Sequence, residues 1–307
     1  METRKIGSLA VSVVGIGCNN FGGRIDETRT VEVVNAALES GINFFDTADV
    51  YGGTKSEEFL GRALGNRRDE AVIATKFGSK IDDDHMGAKP SYVFHACEDS
   101  LRRLGTDHID LYQLHRPDPE TPIADTLGAL NELVEQGKVL EIGCSNFSVA
   151  QLEEAASVNV AAKFVSVQND YSLLHRDESR TVLPYSERHG LAYLPFFPLA
   201  NGLLTGKYRR GADLPEGARI TGMNDERRQR VVNDNNMEIV EGLIAYAESR
   251  GHSLLELSFA RLLAEPAIAS VIAGATSADQ VRANSTAAGW QMSSEEIAAI
   301  DQIAPIP

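Results

Sequence analysis

Short apolar runs alternate with amphipathic segments along most of the chain. Each apolar run is followed by a segment in which apolar residues recur three and four positions apart, which predicts a strand and then a helix. In the first segment, Val31, Val34, Ala37 and Leu38 follow this spacing and Gly41 ends the helix. Because the strand runs are apolar throughout, not at every second position, they indicate parallel strands buried on both faces.

The alternation predicts eight strand–helix units. The predicted strands are 13–17, 42–48, 71–78, 109–115, 140–147, 163–172, 192–200 and 269–277. The predicted helices are 28–41, 56–65, 91–104, 123–138, 149–158, 180–190, 236–251 with 254–265, and 278–289. Eight successive units favour a closed (β/α)8 TIM barrel, and a doubly wound open sheet is the alternative that counting leaves open.

Both ends of the chain add to this barrel. Residues 4–12 predict a short N-terminal β-hairpin that closes the bottom of the barrel. Ser293 with Glu296 predicts a capped helix in a C-terminal extension. No linker or low-complexity segment interrupts the pattern, so we expect one α/β domain over residues 1–307.

The amino-acid composition and net charge bear mainly on which classes of partner the protein can bind. The 307 residues are 43% hydrophobic and 24% charged, as in ordinary globular proteins, and they carry a net charge of −15. This acidity disfavours nucleic acids and anionic membranes as partners, whereas a small ligand needs only a local positive field. Cys18, Cys97 and Cys144 form no paired motif. We therefore expect reduced thiols, no metal site and, without a signal peptide or membrane helix in the sequence, a cytoplasmic protein.

Four residues at or just after predicted strand ends can carry acid–base chemistry. Asp46, Lys76 and His115 end or follow the second, third and fourth strands, and Tyr51 lies in the loop after the second. In a parallel barrel these positions share the carboxyl-terminal face, where active sites form. An ammonium group favours a phenolate and a carboxylate can hold the ammonium, so the set predicts proton exchange at Tyr51. Taken singly, each residue also has a purely structural explanation, such as a loop cap or a packed ring.

Two glycine-rich stretches do not match the common nucleotide-binding sequence motifs. Gly15 and Gly17 would need a third glycine at position 20, where Asn20 stands. The stretch 202–207 has three residues between its glycines instead of four, so it does not form a Walker motif either. It is better explained as a loop whose backbone N–H groups approach a phosphate. The region 207–230 holds seven basic and four acidic residues, which indicates either a phosphate-binding surface or an accidental excess on a solvated loop.

Seven segments of the chain resemble the aldo-keto reductase superfamily. They are FFDTADVYGGTKSEEFLGRAL, VIATKFG, DLYQLHRPD, EIGCSNF, VQNDYSLL, PLANGLLTGKY and IAGATSADQVRAN. They occur in the family's order over nearly the whole chain. The resemblance implies a (β/α)8 barrel and a nicotinamide cofactor, usually NADPH, that binds in an extended form without the usual dinucleotide motif.

The resemblance also implies site residues. Its catalytic set falls on Asp46, Tyr51, Lys76 and His115. Hydride would pass between nicotinamide C4 and a carbonyl carbon, Tyr51 would protonate the developing alkoxide with help from Lys76 and Asp46, and His115 would orient the carbonyl. The implied cofactor contacts are Gly17, Ser145, Asn146, Gln168, Phe196, Leu199, Gly202, Leu203, Lys207, Gly274, Thr276, Gln280 and Asn284.

Two positions depart from the family pattern. Phe196 stands where a tyrosine usually stacks on the nicotinamide, and stacking needs only a ring face. Thr276 and Ser277 stand where many members place an arginine or lysine, although a 2′-phosphate is best held by cationic donors. The resemblance still implies NADP(H) as the preferred cofactor with NAD(H) possible, and Arg219 or Arg282 would then replace the missing cation.

The expected partner is a small carbonyl or alcohol substrate, bound by a monomer or a weak homo-oligomer. A cofactor-binding sensor that resembles the β-subunits of voltage-gated potassium channels is the alternative function. A barrel isomerase without a cofactor is disfavoured by the matching segments. The substrate pocket is expected to be walled by the loops around Asn20, Phe21, Val50, Phe77, Arg116 and Phe147, the long loop and the C-terminus.

Overall fold

Eight parallel strands form the centre of the protein in a computed structural model that describes residues 1–306. Pro307, the last residue of the expected domain, lies outside the described residues. A separate antiparallel hairpin comprises β1 (Thr3–Ile6) and β2 (Leu9–Ser12). The parallel strands are β3 (Val14–Gly17), β4 (Phe44–Asp46), β5 (Val72–Phe77), β6 (Ile109–Leu114), β7 (Val139–Ser145), β8 (Phe164–Asp170), β9 (Ala192–Phe196) and β10 (Val271–Gly274).

The strand order closes the sheet into a barrel. Neighbouring strands follow the chain from β3 to β9, and β10 pairs with β3. The backbone N–H of Tyr193 in β9 donates to the carbonyl of Ala267, and the N–H of Ala269 donates to the carbonyl of Tyr193. These bonds join β9 to the segment before β10 and complete the ring. The barrel prediction is confirmed, and the open-sheet alternative is wrong.

The N-terminal hairpin packs against one end of the barrel. Ile6 and Val11 are fully buried and share an apolar cluster with the strand residues Phe44, Leu111 and Leu194. Because these strand residues precede the carboxyl ends of their strands, the hairpin covers the amino-terminal end of the barrel. The predicted hairpin is thus present, and the opposite end is left for ligands.

Helices surround the barrel in the order that the apolar spacing predicts. They are α1 (Glu27–Glu39), α2 (Lys55–Leu64), α3 (Pro90–Leu104), α4 (Ile123–Glu135), α5 (Val149–Ser157), α6 (Val182–His189), α7 (Asp225–Val231), α8 (Asp234–Glu248), α9 (Leu254–Leu263), α10 (Ala278–Ala287) and α11 (Ser294–Ile303). The Ser293–Glu296 capping box at the start of α11 forms as predicted. The short helix α7 was missed, because it is polar except for its last residue, Val231, and buries no residue that would give an apolar period.

Candidate active site

A cavity of about 580 Å³ opens at the carboxyl-terminal end of the barrel. Seven strands contribute residues at or near their carboxyl ends, because these ends of parallel strands share this face. These wall residues are Gly17, Asp46, His115, Ser145, Gln168, Phe196 and Gly274. The long segment between β9 and α7 adds further wall residues, including Leu199, Gly202, Lys207 and Arg219.

Asp46 and Lys76 form a buried ion pair below the cavity. Nζ of Lys76 lies 2.7 Å from Oδ2 of Asp46 and 2.8 Å from the carbonyl oxygen of Thr47, and the Lys76 side chain is fully buried. Oδ1 of Asp46 accepts hydrogen bonds from the amides of Gln113 and Gln168. Burial alone would lower the pKa of Lys76, but Asp46 and the phenol of Tyr51 outweigh it and the pKa is raised. The lysine is therefore a fixed cation.

Tyr51 lies beside this ion pair on the cavity wall. Nζ of Lys76 lies 5.1 Å from the centroid of the Tyr51 ring, and Tyr51 itself lines the cavity. Burial raises the pKa of Tyr51 more than Lys76 lowers it, and Asp46 raises it further. Because desolvation outweighs the ammonium, the phenol keeps its proton at neutral pH. This arrangement provides a proton donor.

His115 lies edge-on to Tyr51, with ring centroids 5.8 Å apart. Burial, together with the charges of Lys76 and Arg116, lowers the pKa of His115 to about 3. Its imidazole is therefore neutral over the physiological range. Nδ1 is buried and has no hydrogen-bond partner within residues 1–306. A neutral imidazole can still donate one hydrogen bond to a substrate oxygen.

Polar residues at the carboxyl ends of β7 and β8 form a hydrogen-bonded group beside the cavity. The Ser145 hydroxyl donates to the backbone carbonyl of Gln168, and the Asn146 amide donates to the backbone carbonyl of His115 and to Oγ of Ser145. Asn146 has a left-handed φ of 63°, a backbone conformation that is costly outside glycine and clusters at functional sites. These hydrogen bonds thus hold the loops after β6 and β7 in fixed positions relative to β8.

The segment after β9 has an unusual backbone that suits a phosphate-bearing ligand. Phe197, Ala200 and Asn201 have positive φ, as does Gly202, so right- and left-handed residues follow one another closely. Such a succession turns backbone N–H groups toward a common side and forms an anion-binding concavity. Oδ1 of Asn201 is buried without a partner in the described chain, and Asn201 lines the cavity. Together with the ring of Phe196, these features fit an extended dinucleotide.

The cavity gathers most, but not all, of the residues expected around it. Leu199, Gly202, Lys207, Gly274, Thr276, Gln280 and Asn284 line it together with the strand-end residues above. Leu203 is fully buried in the core below the loop, and Lys76 lies behind Tyr51. Of the expected substrate walls, Asn20 and Arg116 line the cavity, whereas Phe21, Phe77 and Phe147 pack into the outer core between strands and helices.

The basic excess at 207–230 is largely neutralised within the protein. Four of its arginines are paired with carboxylates of α7, α8 or their neighbours, and these are Arg209, Arg210, Arg228 and Arg230. Within that segment, Lys207 and Arg219 line the cavity. Arg282 does not line it and instead pairs with Asp279 at 3.1 Å. Arg219 is therefore the better placed of the two proposed replacement cations.

Arg24 and Asn19 also line the cavity, and the sequence patterns did not single them out. A guanidinium nitrogen of Arg24 donates to the carbonyl of Gly217, so the loop after β3 is joined to the long segment on the other side of the cavity. The sequence could have indicated them only by their position, since both lie in the loop that follows the carboxyl end of β3.

Both the sequence and the fold of the chain are similar to those of known proteins. A family model described as "Aldo/keto reductase family" matches residues 13–305. The chain is 33% identical to "Aldo-keto reductase YhdN" of Bacillus subtilis (strain 168), over 94% of this chain and 88% of that protein. It is 32% identical to the "Probable voltage-gated potassium channel subunit beta" of Arabidopsis thaliana, over 92% and 90%. The solved glycerol dehydrogenase AKR11B4 from Gluconobacter oxydans matches with a TM-score of 0.85 and 31% identity, over 98% and 94%.

Proposed function

Since the chain belongs to the aldo/keto reductase family and is an oxidoreductase, we propose that it interconverts aldehydes or ketones with alcohols, using NAD(P)H. The observation that carries this proposal is the position of Tyr51 on the cavity wall, with the buried Lys76–Asp46 pair directly behind it. A neutral phenol beside a fixed cation is suited to protonate an oxygen on which negative charge develops.

A reduced nicotinamide, when bound in this cavity, would supply a hydride to the carbonyl carbon. As the carbonyl π electrons move onto oxygen, Tyr51 donates its phenolic proton to that oxygen and the product is the alcohol. Lys76 stabilises the resulting phenolate, and Asp46 keeps Lys76 in place through the 2.7 Å contact. The neutral His115 donates a hydrogen bond that orients the carbonyl oxygen. In the oxidation direction the same groups act in reverse.

We propose that the cofactor lies across the cavity from Phe196 to Asn284. Phe196 would stack on the nicotinamide, and Ser145, Asn146 and Gln168 would contact its carboxamide. The backbone around Gly202 with Lys207 would hold the pyrophosphate, and the adenosine end would lie near Gly274, Thr276 and Gln280. The cationic walls support NADP(H) as the preferred cofactor. The three cysteines are buried free thiols, which agrees with action in a reducing cytoplasm.

The decisive experiment couples a cofactor titration to a carbonyl panel. We expect NADPH binding, detected by fluorescence, and NADPH-dependent reduction of several aldehydes by the wild-type protein. Tyr51→Phe should bind the cofactor with unchanged affinity but lose about 10²- to 10⁴-fold in kcat, the usual contribution of general acid catalysis. Full activity in this variant would remove Tyr51 from the role of acid. Equal dissociation constants for NADPH and NADH would contradict the proposed cofactor preference.

A regulatory function is the second candidate, because relatives named as potassium channel β-subunits match over nearly the whole chain. Such a protein would bind the cofactor tightly and turn over slowly. Negligible turnover across the panel, together with stoichiometric capture of a membrane protein by the cofactor-bound chain, would favour this candidate. Turnover at rates of about 1 s⁻¹ or more would favour the enzyme.

A further inference from the structure

Arg116 directly follows His115 in the sequence and lines the same cavity. Its charge is close enough to contribute to the lowered pKa of His115. It lies just beyond β6, which is diametrically opposite β10 in the closed ring. The walls proposed for the adenosine and pyrophosphate come from the loops after β9 and β10. Arg116 is therefore placed on the substrate side of the reacting carbon.

No carboxylate within residues 1–306 forms an ion pair with Arg116, although most arginines of this acidic chain are paired. Its loop holds two acidic residues, Asp118 and Glu120, and the nearer of them in sequence, Asp118, is occupied by other donors. Its Oδ2 accepts hydrogen bonds from the Ala88 backbone N–H and the Thr121 hydroxyl, and its Oδ1 accepts one from the Glu120 backbone N–H. Arg116 is an exposed residue, and no carboxylate of this loop forms an ion pair with it.

The cavity as a whole favours anions. Among the described residues, its walls carry four cationic side chains and one carboxylate, and that carboxylate, Asp46, is neutralised by Lys76. Lys207 and Arg219 lie on the segment that suits the pyrophosphate, and Arg24 is bonded to the same segment through Gly217. Arg116 is thus the cation that a dinucleotide on that side of the ring leaves without a partner.

We propose that Arg116 binds an anionic group on the substrate, so that the enzyme prefers aldehydes or ketones that also carry a carboxylate or phosphate. This inference rests on the proposed function. The planar guanidinium presents paired donors that match the two oxygens of either group. A charge-assisted hydrogen bond of this kind contributes about tenfold to a hundredfold in binding. Because Arg116 is exposed, salt should screen this interaction, and the preference for anionic substrates should weaken as ionic strength rises.

The test uses matched substrate pairs with NADPH. The carboxylate pair is 4-oxobutanoate and butanal, and the phosphate pair is glyceraldehyde 3-phosphate and glyceraldehyde. We expect the wild-type kcat/KM to favour the anionic member of at least one pair by about tenfold or more. The pair with the larger ratio identifies the anion. Arg116→Gln should reduce that ratio about tenfold to a hundredfold, mainly through KM, and Arg116→Lys should restore part of it.

The control is Arg188→Gln, which removes an exposed arginine of α6 that lies outside the cavity and changes the net charge equally. It should retain the wild-type ratio. The dissociation constant for NADPH, measured by fluorescence, should be unaltered in Arg116→Gln, and a matching loss there would assign Arg116 to the cofactor and overturn the proposal. An anionic-to-neutral ratio near one in the wild type, or an unchanged ratio in Arg116→Gln, would also overturn it. If butanal and glyceraldehyde are not reduced either, it is the proposed function that fails.

Discussion

Lys76 and Asp46 form a 2.7 Å ion pair in which the lysine side chain has no exposure to solvent. Removing one partner of such a pair leaves an uncompensated buried charge, which costs about 3–5 kcal/mol. The pair therefore supports both the fold and the proposed proton transfer at Tyr51, and the two contributions can be separated.

We predict that Lys76→Met lowers the free energy of unfolding by about 3–5 kcal/mol, because Asp46 loses its counter-ion. Combining it with Asp46→Asn should recover much of that stability, since no buried charge then remains. Turnover should stay low in both variants, because the cation beside Tyr51 is absent. Urea denaturation and kcat measured on the same preparations give the two readouts. Restored turnover in the double variant would show that the cation is dispensable.

The direction of the reaction should determine its pH dependence. Burial raises the pKa of Tyr51, so the phenol stays protonated and kcat/KM for reduction should be flat from about pH 5 to about pH 9. His115, with a pKa of about 3, should add no step in this range. Alcohol oxidation needs the deprotonated phenol and should rise with pH. An inflection near pH 6–7 in reduction that vanishes in His115→Gln would instead indicate a charged imidazole.

A second buried carboxyl group, Asp49, lies in the loop between β4 and Tyr51 and should oppose folding at high pH. Burial, together with the nearby charge of Glu57, raises the pKa of Asp49 to about 8, although Arg103 and Lys76 act in the opposite direction. The folded protein therefore holds a proton there that the unfolded chain loses near pH 4. Unfolding becomes more favourable as the pH rises between these two values.

Asp49→Asn should accordingly raise the melting temperature. The gain in the free energy of unfolding should grow from about pH 5 to about pH 8 and reach about a few kcal/mol. Thermal unfolding across that range measures it. Asp213→Asn removes an exposed carboxyl group and serves as the matched control, for which little change is expected at any of these pH values. A gain that is the same at every pH would show that the carboxyl group does not titrate in this range.

Two helical glycines should respond in opposite ways to alanine. A Cβ atom on Gly61 in α2 would lie 2.2 Å from the carbonyl oxygen of Leu104 at the end of α3, so Gly61→Ala should cost about 1–3 kcal/mol by pushing the helices apart. A Cβ on Gly128 in α4 would meet no atom within 4 Å. Gly128→Ala should gain about 0.5–1 kcal/mol from helix propensity alone. Denaturant unfolding of both variants tests the pair, and equal effects would contradict the close contact.

The strand–helix alternation was readable from the sequence because the spacing of apolar residues is a local property of each segment. The alternation predicted the barrel, and other local patterns predicted the hairpin and the α11 capping box; all three are present. The meeting of Asp46, Tyr51 and His115 at one cavity was predictable as well, because the carboxyl ends of parallel strands share one face.

The direction of individual side chains was decided only by the tertiary structure. Arg209 and Arg219 lie in one basic segment, yet Arg209 pairs with Glu241 of α8 whereas Arg219 faces the cavity. Likewise Phe77 packs into the core, whereas Arg116 faces the cavity and has no carboxylate partner among residues 1–306. The raised pKa of Asp49 depends on burial by distant segments. Such properties depend on which elements pack together across the chain, and that information is absent from the local spacing of residue types.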